Sequence, residues 1–129
     1  MKSKSLVIQI NKRTAEVFAF VTDPANTPKW IDSIVKEEVN EFPPKLGTIY
    51  KNQNNAGGWS EYEMTAFEQD KMFVMSNRKN SYHVKYTLRS INKDSTELEY
   101  YEWTDSGELT EIFTQDILEK LRGILEKPE

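Results

Sequence analysis

The sequence predicts an α+β domain in which one face of an antiparallel sheet is covered by a helix. Two observations lead to this fold class: strand-like segments follow one another along most of the chain, and one amphipathic stretch closes it. An antiparallel sheet with one apolar face needs such a cover. The 129 residues fit a single domain, residues 1–129, which at this size buries roughly two-thirds of its unfolded surface.

The N-terminal part predicts a strand and then two short helices. Residues 6–10 are typical of a strand, and apolar residues at helical spacing follow within residues 14–31. Asp23 followed by Pro24 indicates an N-cap with proline at the first helical position. We therefore expect the second helix to begin at this pair.

Six further strands are expected before the C-terminal helix, separated by turn-forming residues. The clearest turn is the Asn- and Gly-rich hairpin loop at residues 54–58. With the N-terminal strand these segments make a seven-stranded sheet. Their predicted bounds are residues 34–41, 48–53, 59–67, 72–78, 81–91 and 96–104.

A long amphipathic helix is expected at the C-terminal end. Asp105 and Glu108 are spaced as in a capping box. A helix over about residues 107–126 would be roughly 27 Å long at 1.5 Å per residue, long enough to cross a sheet. Its apolar stripe consists of Leu109, Ile112, Phe113, Ile117, Leu121, Ile124 and Leu125.

Short motifs along nearly the whole chain carry a resemblance to a known family. They are VFAFVTDP and PKWI within residues 8–31, LGT at 46–48, FEQDKM at 67–72, STELEY at 95–100 and LEKLRGILE at 118–126. Together they resemble the polyketide cyclase/dehydrase-like group of the START-like (SRPBCC) superfamily. The resemblance implies a helix-grip fold, with two short helices after the first strand and the sheet wrapped around the C-terminal helix. Its members range from lipid carriers to cyclases and chaperone co-factors, so fold alone selects no function.

Alternation with period two indicates which strand residues face the helix. In residues 81–91 the apolar set is opposed by polar residues, so this sheet has one apolar face. The inward set there is Tyr82, Val84, Tyr86 and Leu88, and the same rule turns Tyr62, Met64, Leu98 and Tyr100 inward.

Residues 72–78 are ambiguous, because both alternating sets contain apolar side chains. One set is Met72, Val74 and Ser76, and the other is Phe73 and Met75. The resemblance to the family favours the first set.

Tyrosines on the inner face indicate a pocket. Buried phenol hydroxyls need hydrogen-bond partners, which is costly in a dry core and natural in a partly wet cavity. Aromatic walls with a few polar groups suit a small apolar ligand, although ordinary core packing is the alternative for each residue singly. By the resemblance, Trp30 closes one end of the cavity. The expected ligand-binding residues are Trp30, Tyr62, Met64, Met72, Val74, Tyr82, Tyr86, Tyr100, Phe113 and Ile117.

Glu102 is the candidate catalytic residue. Alternation from Tyr100 predicts that Glu102 faces inward. A β-bulge would reverse this and turn Tyr101 and Trp103 inward instead, which their aromatic character would allow. An inward carboxyl group could donate or accept a proton, or pair with an amine or hydroxyl of a ligand. The alternatives are that Glu102 faces solvent or lies at the rim.

Composition and motifs exclude several function classes. The chain has no cysteine and one histidine, so neither a disulfide nor a multi-histidine metal site is possible. The single histidine, His83, is expected on the solvent face of its strand. There is no P-loop, GxGxxG, GxSxG or HExxH motif, and we expect no metal and no cofactor. The net charge of −4 argues against nucleic-acid binding. No apolar run approaches about 18 residues, so we expect a cytoplasmic protein without membrane insertion.

Binding or carrying of a small hydrophobic ligand, such as a lipid, a quinone or a polyketide-like molecule, is the leading hypothesis for function. One alternative is a cyclase- or dehydratase-type enzyme that acts on such a ligand. Another is a protein-interaction module similar to the chaperone co-factor branch, which would use the outer sheet face or the hairpin around Trp59. A solid core without a cavity would favour the interaction module.

Overall fold

The computed structural model describes residues 1–109 and 113–127, which contain seven strands and three helices. Strands and helices follow in the predicted order, and the helix-grip prediction is confirmed. The elements are β1 Lys2–Ile10, α1 Thr14–Thr22, α2 Thr27–Trp30, β2 Ile34–Val39, β3 Ile49–Asn54, β4 Trp59–Glu68, β5 Met72–Asn77, β6 Tyr82–Asn92, β7 Ser95–Thr104 and α3 Gln115–Leu125.

The strands form one antiparallel sheet in the order β1-β7-β6-β5-β4-β3-β2. Strands β2 to β7 are consecutive neighbours, as hairpin connections require. The first strand instead pairs with the last, so α1 and α2 lie in the connection between the two edges of the sheet. This topology leaves one face of the sheet to be covered by helices.

The core lies between that inner face and the helices. Phe18 of α1 and Leu118 and Leu121 of α3 are fully buried, as are Ile10 and Leu98 on the sheet. Full burial of one such side chain stabilises the fold by about 1.5–3 kcal/mol. The helix α3 packs on β1 and α2, so it secures the edge of the sheet that the N-terminal strand forms.

The second helix begins later than predicted. Its N-cap is Asn26, and Pro28 occupies its first turn. Asp23 is the C-cap of α1 instead, where its Oδ1 accepts a hydrogen bond from the backbone amide of Ala25 at 2.9 Å. Asp and Asn side chains make the same local bond in turns as in caps, so Asp-Pro marked a turn here and the prediction of a cap was wrong.

The C-terminal helix is also shorter than predicted. It begins at Gln115 with Thr114 as its N-cap, and the capping box of Asp105 and Glu108 does not form. Gly107 has φ +83°, a left-handed conformation that interrupts a helix. Of the predicted stripe, Phe113 precedes the helix and Ile112 lies outside the described residues. The 11-residue helix is about 16 Å long at 1.5 Å per residue.

The alternation of β5 is opposite to the favoured one. Phe73 is buried opposite Tyr86 on the inner face, whereas Met72 lies opposite Thr87 and Val74 opposite Lys85 on the outer face. Met72 and Val74, which were expected to bind the ligand, therefore lie outside the inner face and the cavity lining, and the predicted phase of β5 was wrong. The physical reason is the unbroken register with β6, which places Phe73 opposite Tyr86 and Met75 opposite Val84 on the inner face.

Candidate ligand-binding cavity

A cavity of about 520 Å³ lies between the inner face of the sheet, α2 and the segment before α3. This is within the size range of small-molecule sites in proteins. Six of the ten predicted ligand-binding residues line it: Trp30, Tyr62, Tyr82, Tyr86, Tyr100 and Phe113. Strands β3 and β5 add Tyr50 and Phe73 to its aromatic lining.

A continuous series of aromatic contacts forms one wall. Phe73 stacks on Tyr86, with ring centroids 4.7 Å apart, and Tyr86 meets Tyr100 edge to face at 5.4 Å. Tyr100 stacks on Phe113 at 3.7 Å, and Phe113 meets Trp30 edge to face at 6.0 Å. Such pairs are each worth about 0.5–1.5 kcal/mol beyond the burial of their area, so this wall is held in place by its own packing.

Glu102 is buried and faces inward, as alternation predicted. Its side chain is 1% exposed, and the pairing of Val84 with Glu102 is in register, so no bulge turns it outward. Tyr100 donates a hydrogen bond to Oε1 at 3.1 Å, and Tyr82 donates one to Oε2 at 3.3 Å. The two phenol oxygens are 3.2 Å from each other. Both hydroxyls thus have the partners that burial requires.

Glu102 itself does not line the cavity. It lies behind the two tyrosines, and on its other side Nζ of Lys4 is 3.7 Å from Oε1. Lys4 also donates a hydrogen bond to the backbone carbonyl of Phe113. The buried carboxylate therefore connects β1, β6, β7 and the segment before α3. Among the described residues, Tyr82 and Tyr100 connect it to the cavity by hydrogen bonds.

Besides the exposed Glu108, Glu37 is a carboxyl group that lines the cavity. It lies on β2, where Thr27 of α2 donates a hydrogen bond from Oγ1 to its Oε1 at 2.5 Å. Burial raises the pKa of Glu37 from 4.5 to about 7, against the opposing effect of hydrogen bonds from Thr27 and Asn52. Near neutral pH this group therefore exists in both protonation states.

The tyrosines of the cavity stay neutral. Burial raises the pKa of Tyr62 and of Tyr82, and it raises the pKa of Tyr86 and of Tyr100 far above that of a free phenol. A neutral phenol both donates and accepts hydrogen bonds. Tyr50 is also kept neutral by burial, which raises its pKa, and it donates a hydrogen bond to the carbonyl of Thr22 at 2.7 Å.

Two further predicted ligand-binding residues, Met64 and Ile117, pack in the core away from the cavity lining. Met64 is fully buried beneath the inner face. Trp30 lines the cavity beside Phe113, and its indole Nε1 has no hydrogen-bond partner among the described residues.

His83 and Trp59 lie away from the cavity lining. His83 is on the outer face, where it stacks on Trp103 and its Nδ1 is 2.7 Å from Oγ of Ser76. Trp59, at the start of β4 beside the hairpin loop, is 46% exposed. Within residues 1–109 and 113–127, no three His, Cys, Asp or Glu side chains converge as a metal site would need. In the same residues we find no helix with the length and apolar character to span a membrane.

Glu37 was not among the site residues predicted from the sequence. A signal was available: Glu37 lies two residues before Val39, which packs on the core, so alternation from Val39 places Glu37 inward. Alternation from Ile34 contradicts this, because the pairing of β2 with β3 shifts register between Ile34 and Lys36. Because of this irregularity, simple alternation along β2 does not predict which of its residues face inward.

Nearly the whole chain matches one protein family. The family described as "Polyketide cyclase / dehydrase and lipid transport" matches residues 1–126, and the chain therefore belongs to it. No curated protein matches the sequence. The family and the fold together support a role in ligand binding or in cyclase chemistry.

Solved structures share the fold at low sequence identity. A START superfamily protein from Mycobacterium smegmatis is 11% identical with a TM-score of 0.74, and 97% of each chain is covered. The Aha1 dimer from Colwellia psychrerythraea is 15% identical with a TM-score of 0.75, and 98% of each chain is covered. The di-domain ARO/CYC BexL from the BE-7585A biosynthetic pathway is 11% identical with a TM-score of 0.66; the match covers 81% of this chain and 36% of BexL. At these identities the likeness shows the fold alone.

Proposed function

We propose that this protein binds a small, largely apolar molecule in the cavity between its sheet and helices, as a carrier or binding protein. The observation that carries the proposal is the cavity of about 520 Å³ with aromatic walls. A domain of this size that only needed stability would fill such a space with side chains, because protein interiors are close-packed. Family membership supports the same role.

The wall chemistry indicates the general character of the ligand. Stacked and edge-to-face rings from Phe73 to Trp30 offer flat apolar surfaces, which suit rings or a folded chain better than a strongly hydrated molecule. The neutral phenols of Tyr82 and Tyr86 add hydrogen-bonding groups without charge. A lipid, a quinone or a polyketide-like aromatic compound has these properties.

Native mass spectrometry of the purified protein, with extraction of any bound molecule, is the first test. A thermal-shift panel of lipids, quinones and polyketide-like aromatics complements it. We expect at least one retained or stabilising apolar ligand, because a ligand that binds only the native state raises its stability by mass action.

Two variants show whether the ligand occupies this cavity. Tyr86→Ala removes part of the wall and should abolish the thermal shift while the protein still folds. Tyr101→Ala is the matched control, because Tyr101 lies opposite Lys85 on the outer face. An empty protein that no compound stabilises, or a shift that survives Tyr86→Ala, would contradict the proposal.

A cyclase- or dehydratase-type enzyme is the second candidate function. The specific observation in its favour is that the hydroxyls of Tyr82 and Tyr100 line the cavity while both bind Glu102 behind them. Any proton exchanged with Glu102 would pass through one of these phenols, so Glu102 would act as a positioning residue and a proton reservoir. Glu102→Gln should then abolish turnover of the identified ligand and leave its affinity nearly unchanged. An unchanged rate would remove Glu102 from the mechanism.

The third hypothesis is a protein-interaction module. A solid core would have favoured it, so the presence of a cavity weighs against it. Trp59 is the exposed aromatic residue that such a module would use. If the ligand search fails, titration of candidate partners against Trp59→Ala becomes the next experiment.

A further inference from the structure

We propose that the natural ligand carries an amine, and that Glu37 receives its ammonium group inside the aromatic cavity. This inference rests on the proposed function and adds the chemical class of the ligand. Three features of the structure lead to it: the position of Glu37, the charge of the cavity lining, and the aromatic rings around the same space.

Glu37 is a cavity-facing carboxyl group that has no cationic partner in the described part of the chain. Its Oε1 accepts from Thr27, and no ion pair to it is formed by the described residues, in contrast to its neighbour Glu38, whose Oε2 is 3.4 Å from Nζ of Lys36. Glu37 is half-buried, and a carboxylate that has lost part of its hydration is stabilised by a cationic partner. A ligand cation would supply the missing partner.

The charge of the cavity lining also favours a cation. Among the described lining residues there is no Lys, Arg or His, and the ionisable groups besides Glu37 are tyrosines and Glu108. An anionic ligand, such as a fatty acid or a phosphate ester, would meet repulsion from Glu37 and find no counter-charge. The cavity therefore selects against anions.

Aromatic rings around the cavity favour a cation independently of Glu37. Trp30, Tyr62, Tyr82 and Tyr86 all line the space, and the faces of such rings attract ammonium groups. The ammonium group of an amine with an apolar body would pair with the carboxylate and also interact with the aromatic faces. A neutral alcohol would satisfy only the hydrogen-bonding part.

The groups that face Glu37 can be named for each neighbouring element. Thr27 approaches from α2, Tyr50 and Asn52 from β3, and Tyr62 from β4. Burial raises the pKa of both tyrosines, so they stay neutral, and Asp23 at the end of α1 is the further acidic group near Tyr50. Glu37 is thus the group in this part of the cavity whose charge changes near neutral pH.

Three probes with one apolar body and different polar groups test the inference: naphthylmethylamine, naphthalenemethanol and naphthoate. Isothermal titration calorimetry at about pH 8, where Glu37 is ionised, measures their affinities. We expect the amine to bind at least about tenfold more tightly than the alcohol, as a charge-assisted hydrogen bond allows, and naphthoate to bind most weakly.

Glu37→Gln should remove the advantage of the amine and leave the affinity of the alcohol unchanged. Glu38→Gln is the matched control, because Glu38 is adjacent on β2 and exposed beside Lys36. A second measurement uses the unaltered protein: the affinity for the amine should fall several-fold between about pH 8 and pH 6, as Glu37 gains its proton, while the affinity for the alcohol stays constant.

Failure of this inference differs from failure of the proposed function. If amine and alcohol bind equally, Glu37→Gln has no effect and Tyr86→Ala weakens both, the cavity binds apolar ligands and the amine assignment is overturned. If no probe binds, or binding survives Tyr86→Ala, the proposed function fails and this inference fails with it. A preference for naphthoate would overturn the amine assignment directly.

Discussion

Nζ of Lys4 lies 3.7 Å from Oε1 of Glu102, a carboxylate that is only 1% exposed. The two residues are paired across β1 and β7, and Lys4 also donates to the carbonyl of Phe113. One lysine on the first strand thus supports both the buried carboxylate and the segment whose ring covers Tyr100. This pair has consequences for stability that can be measured.

Lys4→Met should destabilise the protein by about 3 kcal/mol. Removing one partner of a buried ion pair leaves the other charge buried without compensation. The free energy of unfolding from urea denaturation measures the effect, and Lys4→Met combined with Glu102→Gln should recover part of the loss.

Lys2→Met is the control for this prediction. Lys2 lies on the same strand, but its partner Glu108 is 3.9 Å away and both side chains are largely exposed. We expect a change below about 0.5 kcal/mol. Equal losses for Lys2→Met and Lys4→Met would show that the buried pair adds nothing specific.

Glu37→Gln should stabilise the protein more at pH 8 than at pH 5. In the folded protein the pKa of Glu37 is raised to about 7, whereas the unfolded chain ionises near 4.5. Between these two values the folded state binds more protons, so the contribution of Glu37 to stability falls as pH rises from about 4.5 to about 7 and is constant above that. Glutamine mimics the neutral acid and removes this loss.

Melting temperatures of the two proteins at the two pH values measure the effect, as the difference between variant and unaltered protein. Glu38→Gln serves as the control and should give the same difference at both pH values, because its carboxylate is exposed. A Glu37→Gln difference that does not grow between pH 5 and pH 8 would contradict the raised pKa.

Phe73→Ala should destabilise the protein by about 3–5 kcal/mol, because the ring is 2% exposed and stacks on Tyr86. Met72→Ala, one residue earlier on the outer face, should cost less than about 1 kcal/mol. Chemical denaturation of both variants compares the two faces of β5. The reverse order of the two losses would mean that β5 has the phase that the family resemblance favoured.

Gly123→Ala should stabilise the protein by about 0.5–1 kcal/mol. Gly123 lies within α3, and a Cβ atom added there meets nothing within 4 Å. Alanine restricts the unfolded chain and favours the helix. Thermal or urea unfolding measures the gain.

Gly107→Ala is the matched comparison, because it too has open space for a Cβ atom but its φ is +83°. An alanine in the left-handed region costs roughly 1–2 kcal/mol, so this variant should lose stability. If both variants changed stability in the same direction, backbone conformation would not be the determining factor.

The strands and the inner face of β6 and β7 were predictable because their signal is local. Alternation placed Tyr82, Tyr86, Tyr100 and Glu102 inward, and the structure has all four there. The pairing of β6 with β7 runs in register through these residues. Strict alternation along each strand therefore predicts which of its residues face inward once one of them is known. The hairpin loop after β3 was equally local, since turn residues mark it.

The predictions that failed depend on what a segment meets in space. The phase of β5 follows from its register with β6, and the orientation of Glu37 from an irregularity in the pairing of β2 with β3. The start of α3 at Gln115 likewise differs from the position that a capping-box pattern indicated. A local sequence pattern carries no information about the partner strand or the tertiary packing, and these decide which phase or helix start is adopted.

The sequence by itself determined the fold class, the order of the elements and most of the aromatic wall, because hydrophobic periodicity and turn chemistry act over a few residues. Only the tertiary structure decided which carboxyl group faces the cavity. It placed Glu102 behind two tyrosines and beside Lys4, and it brought Glu37 to Thr27 of α2. Lys4 and Glu102 lie on the first and the last strand, and Thr27 and Glu37 lie on a helix and a strand, so these contacts arise only when the sheet and its helices pack together.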